Sequence, residues 1–228
     1  MSLKENFLNI QGRIDLAKSR INTSKNVELI AATKTRNFDV IRESYACGIT
    51  SIGENRIQEA ELKFGSFIEM PKLNRRFIGH LQSNKIKKCL TMFDTIDSIH
   101  SLKLAKKINN QLKTTNNKIS TLLEINISGD ISKHGFRPDN IEEILETVEI
   151  EALSVCGLMT LGPTSREESK TRKAFAGLRK LKEKINKELG VEKLVELSMG
   201  MSGDFELGIE EGSTMVRVGT ALFGNRDN

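Results

Sequence analysis

Apolar, β-branched runs of strand length recur at 27–33, 50–53, 76–79, 95–99, 120–127, 152–160, 193–198 and 215–219, and helical patterns fill the gaps between them. The helical stretches fall near 38–47, 55–68, 83–92, 101–113, 139–149, 166–189 and 203–211. Parallel strands cannot be joined by a tight turn and need crossover connections, so this alternation predicts a parallel sheet. An open doubly wound sheet fits the same order of elements. Closure is favoured by the count of eight strands and by chemical-looking residues after several different strands, which an open sheet would gather at one switch point. The expected fold is α/β, a single (β/α)8 TIM-type barrel spanning residues 1–228 as one domain. Residues 3–22, apolar at Phe7, Ile10, Ile14, Leu16 and Ile21, add an extra N-terminal helix, and little chain follows the last strand for a full eighth helix.

Composition narrows the function classes. The chain is 38% hydrophobic and 29% charged, as expected of an ordinary globular protein. No apolar run approaches the roughly 18 residues of a membrane span. The start, Met1-Ser-Leu-Lys-Glu-Asn-Phe7, lacks a signal-peptide core, so a cytoplasmic protein is expected. Cys47, Cys89 and Cys156 are too scattered for a disulfide framework or a zinc site, and no metal is expected. The net charge of +5 includes two clusters, Lys85-Ile-Lys-Lys88 and Arg179-Lys-Leu-Lys-Glu-Lys184. Apolar residues at helical spacing interrupt both, which fits solvated helix faces better than a nucleic-acid patch. With no Trp and Tyr45 alone, little is available for base stacking. No unusually apolar exposed face stands out, and a monomer is expected.

A closed barrel would collect its strand-end residues on one rim. Lys34 ends the first run, Val27-Glu-Leu-Ile-Ala-Ala-Thr-Lys34. An ammonium there is costly to desolvate, its amine becomes nucleophilic, and Schiff-base chemistry with an aldehyde follows. A solvated strand end is the plainer reading of a lysine in that place. Ser198 and Gly200 after the seventh run, with Gly219-Thr220 after the eighth, have the chemistry of a phosphate cradle: glycines admit backbone N–H groups and hydroxyls add donors. The same residues would equally serve as turns and caps. Asp204 would repel phosphate and is better placed in the first turn of the following helix. Arg217, inside Met215-Val-Arg-Val218, needs either an acidic partner or a ligand's acceptor atom. His80 and His134 show no metal-ligand spacing and suit structural roles as readily as catalytic ones. An aldehyde-reactive lysine, an anion cradle and a buried arginine on one rim together describe pyridoxal 5′-phosphate, with its aldehyde at Lys34, its phosphate in the cradle and its ring nitrogen at Arg217.

Longer blocks add a resemblance. Ala31-Ala-Thr-Lys34, Ile52-Gly-Glu-Asn55, Phe77-Ile-Gly-His-Leu-Gln-Ser-Asn-Lys85, Asn126-Ile-Ser-Gly129, Ser132-Lys-His-Gly-Phe136, Gly157-Leu-Met-Thr160, Ser198-Met-Gly-Met-Ser202 and Gly212-Ser-Thr-Met-Val-Arg-Val-Gly-Thr220 resemble, in order, the pyridoxal phosphate homeostasis proteins, also called the YggS or PROSC family. The resemblance implies a barrel similar to the N-terminal domain of alanine racemase, of the fold type III class among pyridoxal phosphate proteins. It implies a Schiff base on Lys34 and Arg217 at the pyridine nitrogen. It also implies Ser198, Gly219 and Thr220 at the phosphate, with Asn55 and His80 lining the pocket. Arg75-Arg76 depart from the family's pattern of an aromatic residue and a histidine, a change expected to alter the far rim of the barrel more than cofactor binding.

Binding the cofactor does not make an enzyme. Racemisation needs a second acid/base group opposite the lysine, a tyrosine in related racemases, and Tyr45 falls in the helix after the first strand. No second domain is expected after residue 228 to complete a substrate pocket, and an arginine at the pyridine nitrogen weakens the ring as an electron sink. The expectation is a carrier of pyridoxal 5′-phosphate serving vitamin B6 homeostasis, with no catalytic residues and with apo-enzymes as possible recipients. The alternatives are an amino-acid racemase or other cofactor-dependent enzyme whose second base comes from another subunit or from His80, and a cofactor-free Schiff-base aldolase.

Overall fold

Glu28–Ala32 (β1) is the first of eight parallel strands that close in chain order into a barrel. It is followed by β2 (Ser51–Glu54), β3 (Asn74–Phe77), β4 (Thr95–Ile99), β5 (Ile119–Glu124), β6 (Leu153–Met159), β7 (Glu196–Met201) and β8 (Met215–Val218), and β8 pairs back onto β1 with Ile30 opposite Arg217. The computed structural model describes residues 2–165 and 167–224. This is a TIM barrel, as the alternation of runs and helical patterns predicts. No helix among the described residues is long and apolar enough to cross a membrane.

Helices α2 (Phe38–Ala46), α3 (Ile57–Lys63), α4 (Ile86–Met92), α5 (Leu102–Lys113), α6 (Ile141–Val148), α7 (Glu168–Leu189), α8 (Phe205–Glu210) and α9 (Thr220–Phe223) alternate with the strands, after an opening α1 (Leu3–Arg20). Their ends follow local chemistry. Ser2 and Glu5 make a reciprocal capping box on α1, Asn37 and Ser101 cap α2 and α5, and Gly190 at φ +69° stops α7. Arg166, expected to open the α7 helix, lies outside the described residues.

Side chains alternate across each strand. Leu29, Ala31, Val216 and Val218 pack outward with Ile10, Ile14 and Ala17 of α1, while Ile30, Leu122, Met159 and Met215 form a small apolar group of their own inside the barrel. The extra helix therefore covers the seam between β8 and β1, where α9 is only one turn long. Asn6 Nδ2 donates to the Leu222 carbonyl at 2.9 Å, Arg13 pairs with Glu206 at 2.6 Å and Arg20 with Glu210 at 2.8 Å, tying α1 to α9 and α8.

Several boundaries differ from the sequence expectation. β3 occupies 74–77 rather than 76–79, because Ser51 to Glu54 of β2 register with Asn74 to Phe77. Its polar start reads as loop, yet Arg76 points inward to ion partners that make it a strand residue. β5 stops at Glu124 instead of 127, β7 runs 196–201 instead of 193–198, and α3 covers 57–63 rather than 55–68.

Candidate binding site at the barrel mouth

Closure in parallel sends every strand's C-terminal end to one rim, so Lys34, Asn55, His80, Gly219 and Thr220 are gathered there just beyond β1, β2, β3 and β8. Ala31 lies beside Val218 and Ala32 beside Gly53 in the register. A side chain at Gly219 would come within 3.3 Å of the Ala32 carbonyl, and one at Gly79 within 2.0 Å of the Asn55 carbonyl. The loops after β1, β2, β3 and β8 thus approach at backbone distance.

Lys34 does not continue the strand. Its φ of +26° places it in the left-handed region, where non-glycine residues are uncommon. The Arg36 N–H donates to the Thr33 carbonyl at 2.7 Å, closing a tight turn around Lys34 and Thr35. Lys63, from α3, donates its Nζ to the Thr33 carbonyl at 3.3 Å and also to the Lys34 carbonyl. Glu54 at the end of β2 is fully buried, and its Oε1 accepts from Lys63 Nζ at 2.5 Å and from the Thr33 hydroxyl. Burial pushes the Glu54 carboxyl above its ordinary value, and Lys63 and Thr33 pull it partly back. Glu54 Oε2 and Asn55 Oδ1 are buried without a hydrogen-bond partner.

Arg217 is almost wholly buried. Its Nη1 donates to the Ser198 carbonyl at 2.8 Å and the Ser198 hydroxyl at 2.6 Å, and its Nη2 donates to the Thr160 carbonyl at 2.8 Å. A guanidinium has five N–H groups, so donors remain for an acceptor at the mouth. Burial lowers its pKa, while Asp97, Glu124 and Asp204 raise it. Glu124, at the end of β5, is pushed up by burial to about 7 against the opposing pull of Arg217.

The two serines of the Ser198–Ser202 block make different contacts. Ser198 is fully buried with its hydroxyl committed to Arg217, whereas Ser202 Oγ accepts from the N–H groups of Gly219 at 3.1 Å and Ala221 at 3.2 Å. The loop reaches this point through Gly200 at φ +96°, where a Cβ would fall 2.7 Å from the Phe205 Cα. Asp204, expected in the first turn of its helix, stands at the N-cap of α8, and its side chain accepts the Met201 N–H at 2.6 Å.

Asn55, His80, Arg56, Gln58, Gln82 and Lys85 border a cavity of about 560 Å³ beside the mouth. His80 stacks on His134 with ring centroids 3.8 Å apart, and His100 lies 4.5 Å from His80. Burial lowers the pKa of His80, helped by His134, and takes His100 down to about 4, helped by both neighbours. Below them, in the lower half of the barrel, Arg76 bonds Asp97 at 3.2 Å, Glu28 at 2.9 Å and the Ser51 hydroxyl at 3.0 Å. Burial works against the Arg76 charge, but Asp97 and Glu28 outweigh it and hold its pKa up. The Arg75-Arg76 departure thus lies toward the far rim, while Asp97 beside it also faces the field of Arg217. Tyr45 sits in the helical layer, packed with the cluster around α1.

Sequence reasoning missed Ser202, Glu124 and the Glu54–Lys63 pair. Ser202 closes the same Ser-Met-Gly-Met-Ser block that supplied Ser198, and Glu54 stands beside Asn55, so each was within a motif already noticed. Lys63 left no signal, since a lysine late in a charged helix reads as solvent-facing.

Comparison with known proteins places these residues in a family. The sequence matches the family described as "Alanine racemase, N-terminal domain" over residues 7–227. It is 39% identical to the pyridoxal phosphate homeostasis protein of Aquifex aeolicus, over 99% of both chains. The structure of the PipY protein of Synechococcus elongatus with PLP bound superposes with a TM-score of 0.83, at 32% identity, over 98% of this chain and 100% of that one. An alanine racemase of Clostridium difficile, 18% identical, shares the fold at a TM-score of 0.73 over 99% of this chain and 57% of the racemase.

Proposed function

This chain belongs to the pyridoxal phosphate homeostasis proteins, and on that premise we propose that it holds pyridoxal 5′-phosphate through a Schiff-base linkage to Lys34 and acts as a carrier that buffers and delivers the cofactor. The observation that carries the reading is the convergence on one rim of a turn-borne lysine, a buried arginine and a backbone N–H cradle. The residues present suit the group. Asn55 Oδ1 is a buried polar atom lacking a hydrogen-bond partner, and Gly200 and Gly219 let the chain pack closely at the mouth, where a Cβ would fall 2.7 Å from the Phe205 Cα and 3.3 Å from the Ala32 carbonyl oxygen. Lys34 would hold the aldehyde carbon, and Arg217 would offer a remaining N–H to the ring nitrogen. Gly219 and Thr220 would meet the phosphate, with Ser202 adjusting to share those donors, and Asn55 and His80 would line the ring's surroundings.

Bound, the cofactor supplies a reactive aldehyde and an electron-withdrawing ring. The chain's own residues favour storage over turnover. Arg217 remains a cation and a donor only, so it cannot hand a proton to the ring nitrogen and return it within a cycle. Tyr45 lies in the helical layer, where it cannot serve as the opposing acid/base group a racemase requires.

The test is the visible absorption spectrum of the purified protein, followed by borohydride reduction and peptide mass mapping. A yellow protein whose cofactor mass is fixed on Lys34, and a colourless Lys34→Ala variant, are the expected results. Interconversion of D- and L-alanine that disappears in Lys34→Ala would replace the carrier reading with an enzymatic one.

A further inference from the structure

Lysine is poorly suited to the left-handed backbone that Lys34 adopts, since its Cβ crowds the neighbouring carbonyl. Something must hold the turn. Its closing hydrogen bond, from Arg36 N–H to the Thr33 carbonyl, constrains only the flanks. The second restraint comes from outside the turn. The Lys63 ammonium, its side chain 10% exposed, bridges the consecutive carbonyls of Thr33 and Lys34. Lys63 is itself held from behind by Glu54, whose Oε1 also takes the Thr33 hydroxyl. Hydrogen bonds with an ionised donor are stronger than neutral ones, and these are largely shielded from water. The Lys63 ammonium of α3, the Glu54 carboxylate of β2 and the Thr33 hydroxyl just beyond β1 therefore converge on the peptide that carries the reactive side chain.

We propose that Lys63, anchored by Glu54, is the positioning residue for Lys34, clamping the carbonyls of Thr33 and Lys34 so that the amine leaves the rim in one fixed direction. This rests on Lys34 being the attachment lysine, but the clamp itself does not need the cofactor. Lys63 does not act on the ligand; it acts through the backbone of its neighbour. A nucleophile delivered from an undefined turn would reach the bound aldehyde in only a fraction of its orientations, which lowers the rate and extent of condensation.

The test uses the full chain in apo and cofactor-loaded forms, with Lys63→Met to remove the clamp and Lys63→Arg to restore a cation that can donate to both carbonyls. In the apo protein, amide hydrogen exchange at Arg36 is expected to quicken at least about tenfold in Lys63→Met while Ile30 and Ala31 in β1 keep their protection, because only the turn is released. With pyridoxal 5′-phosphate added, the rate of adduct formation on Lys34, trapped by borohydride, is expected to fall at least about tenfold, and Lys63→Arg to recover most of it. Unchanged Arg36 exchange, or trapping at the wild-type rate in Lys63→Met, would overturn the proposal. If Lys63→Met does not fold, Lys63→Gln, which keeps a donor and loses the charge, gives the same two readings. A wild-type protein that forms no Lys34 adduct, alongside faster Arg36 exchange in the variant, would sink the cofactor reading and leave the clamp standing.

Discussion

Glu124 enters the barrel within the field of Arg217, and burial takes its carboxyl to about 7 from an ordinary value near 4.5. The folded chain therefore binds that proton more tightly than the unfolded chain does. The stabilisation is complete below the unfolded value and is lost as pH rises through 7, with a ceiling of about 3 kcal/mol. Glu124→Gln should remove this dependence. Urea unfolding of the apo protein at pH 5 and pH 8 is expected to show the wild type losing stability relative to the variant across that interval; parallel changes would mean that Glu124 is already ionised at pH 5. At this scale the sequence was partly legible. Arg217 stood out because a cation inside an apolar run needs a partner, and Lys34 because it ends such a run where a barrel would open. Glu124 and Lys63 did not, since their significance lies in neighbours contributed by other elements. Ser198 and Ser202, four residues apart with the same hydroxyl, can be told apart only by the turn at Gly200, which sends one to Arg217 and the other to Gly219 and Ala221.

Among the elements, the β3 loop shows how closely the rim is assembled. Gly79 lies against the backbone of Asn55, and an added Cβ would fall 2.0 Å from that carbonyl oxygen and 2.6 Å from its carbon. No side-chain rotation relieves a clash with backbone, so Gly79→Ala must push the loop carrying His80 away from the loop carrying Asn55. The expected result is a loss of at least about 2 kcal/mol in urea unfolding, with weakened cofactor uptake in a titration. Wild-type stability would show that the two loops can part without consequence. The two-residue displacement of β3 has a related origin. Arg75 and Arg76 look like solvent-facing loop, but Arg75 bonds Asp94 on the outside at 2.6 Å and Arg76 meets Asp97 within. Hydrophobic periodicity marks a strand by its apolar members and is silent about one whose inward face is ionic.

For the molecule as a whole, the alternation of strands and helices was the most legible property, because a parallel sheet dictates crossovers and a count of eight strands favours closure. The function of α1 was not legible: its amphipathic pattern announces a helix without saying where it docks. It covers the seam of β8 and β1, the strand that carries Arg217 and the strand that leads to Lys34, so the proposed ligand residues stand on the two strands whose pairing closes the barrel. Pyridoxal 5′-phosphate at about a hundred times its dissociation constant should therefore stabilise the whole barrel by about 2.7 kcal/mol, a rise in melting temperature of about 5–10 °C. Differential scanning calorimetry with and without the cofactor checks this, and Lys34→Ala should show a markedly smaller rise. An equal rise in both would shift the weight of binding from the lysine to the cradle.

All three histidines of this chain, His80, His100 and His134, meet in one stack at the mouth. Every imidazole C–H resonance in a proton spectrum therefore originates within a few ångströms of the entrance, each shifted by its neighbours' ring currents. The molecule carries its own set of reporters, and the arrival or departure of a ligand can be followed there without attaching a label.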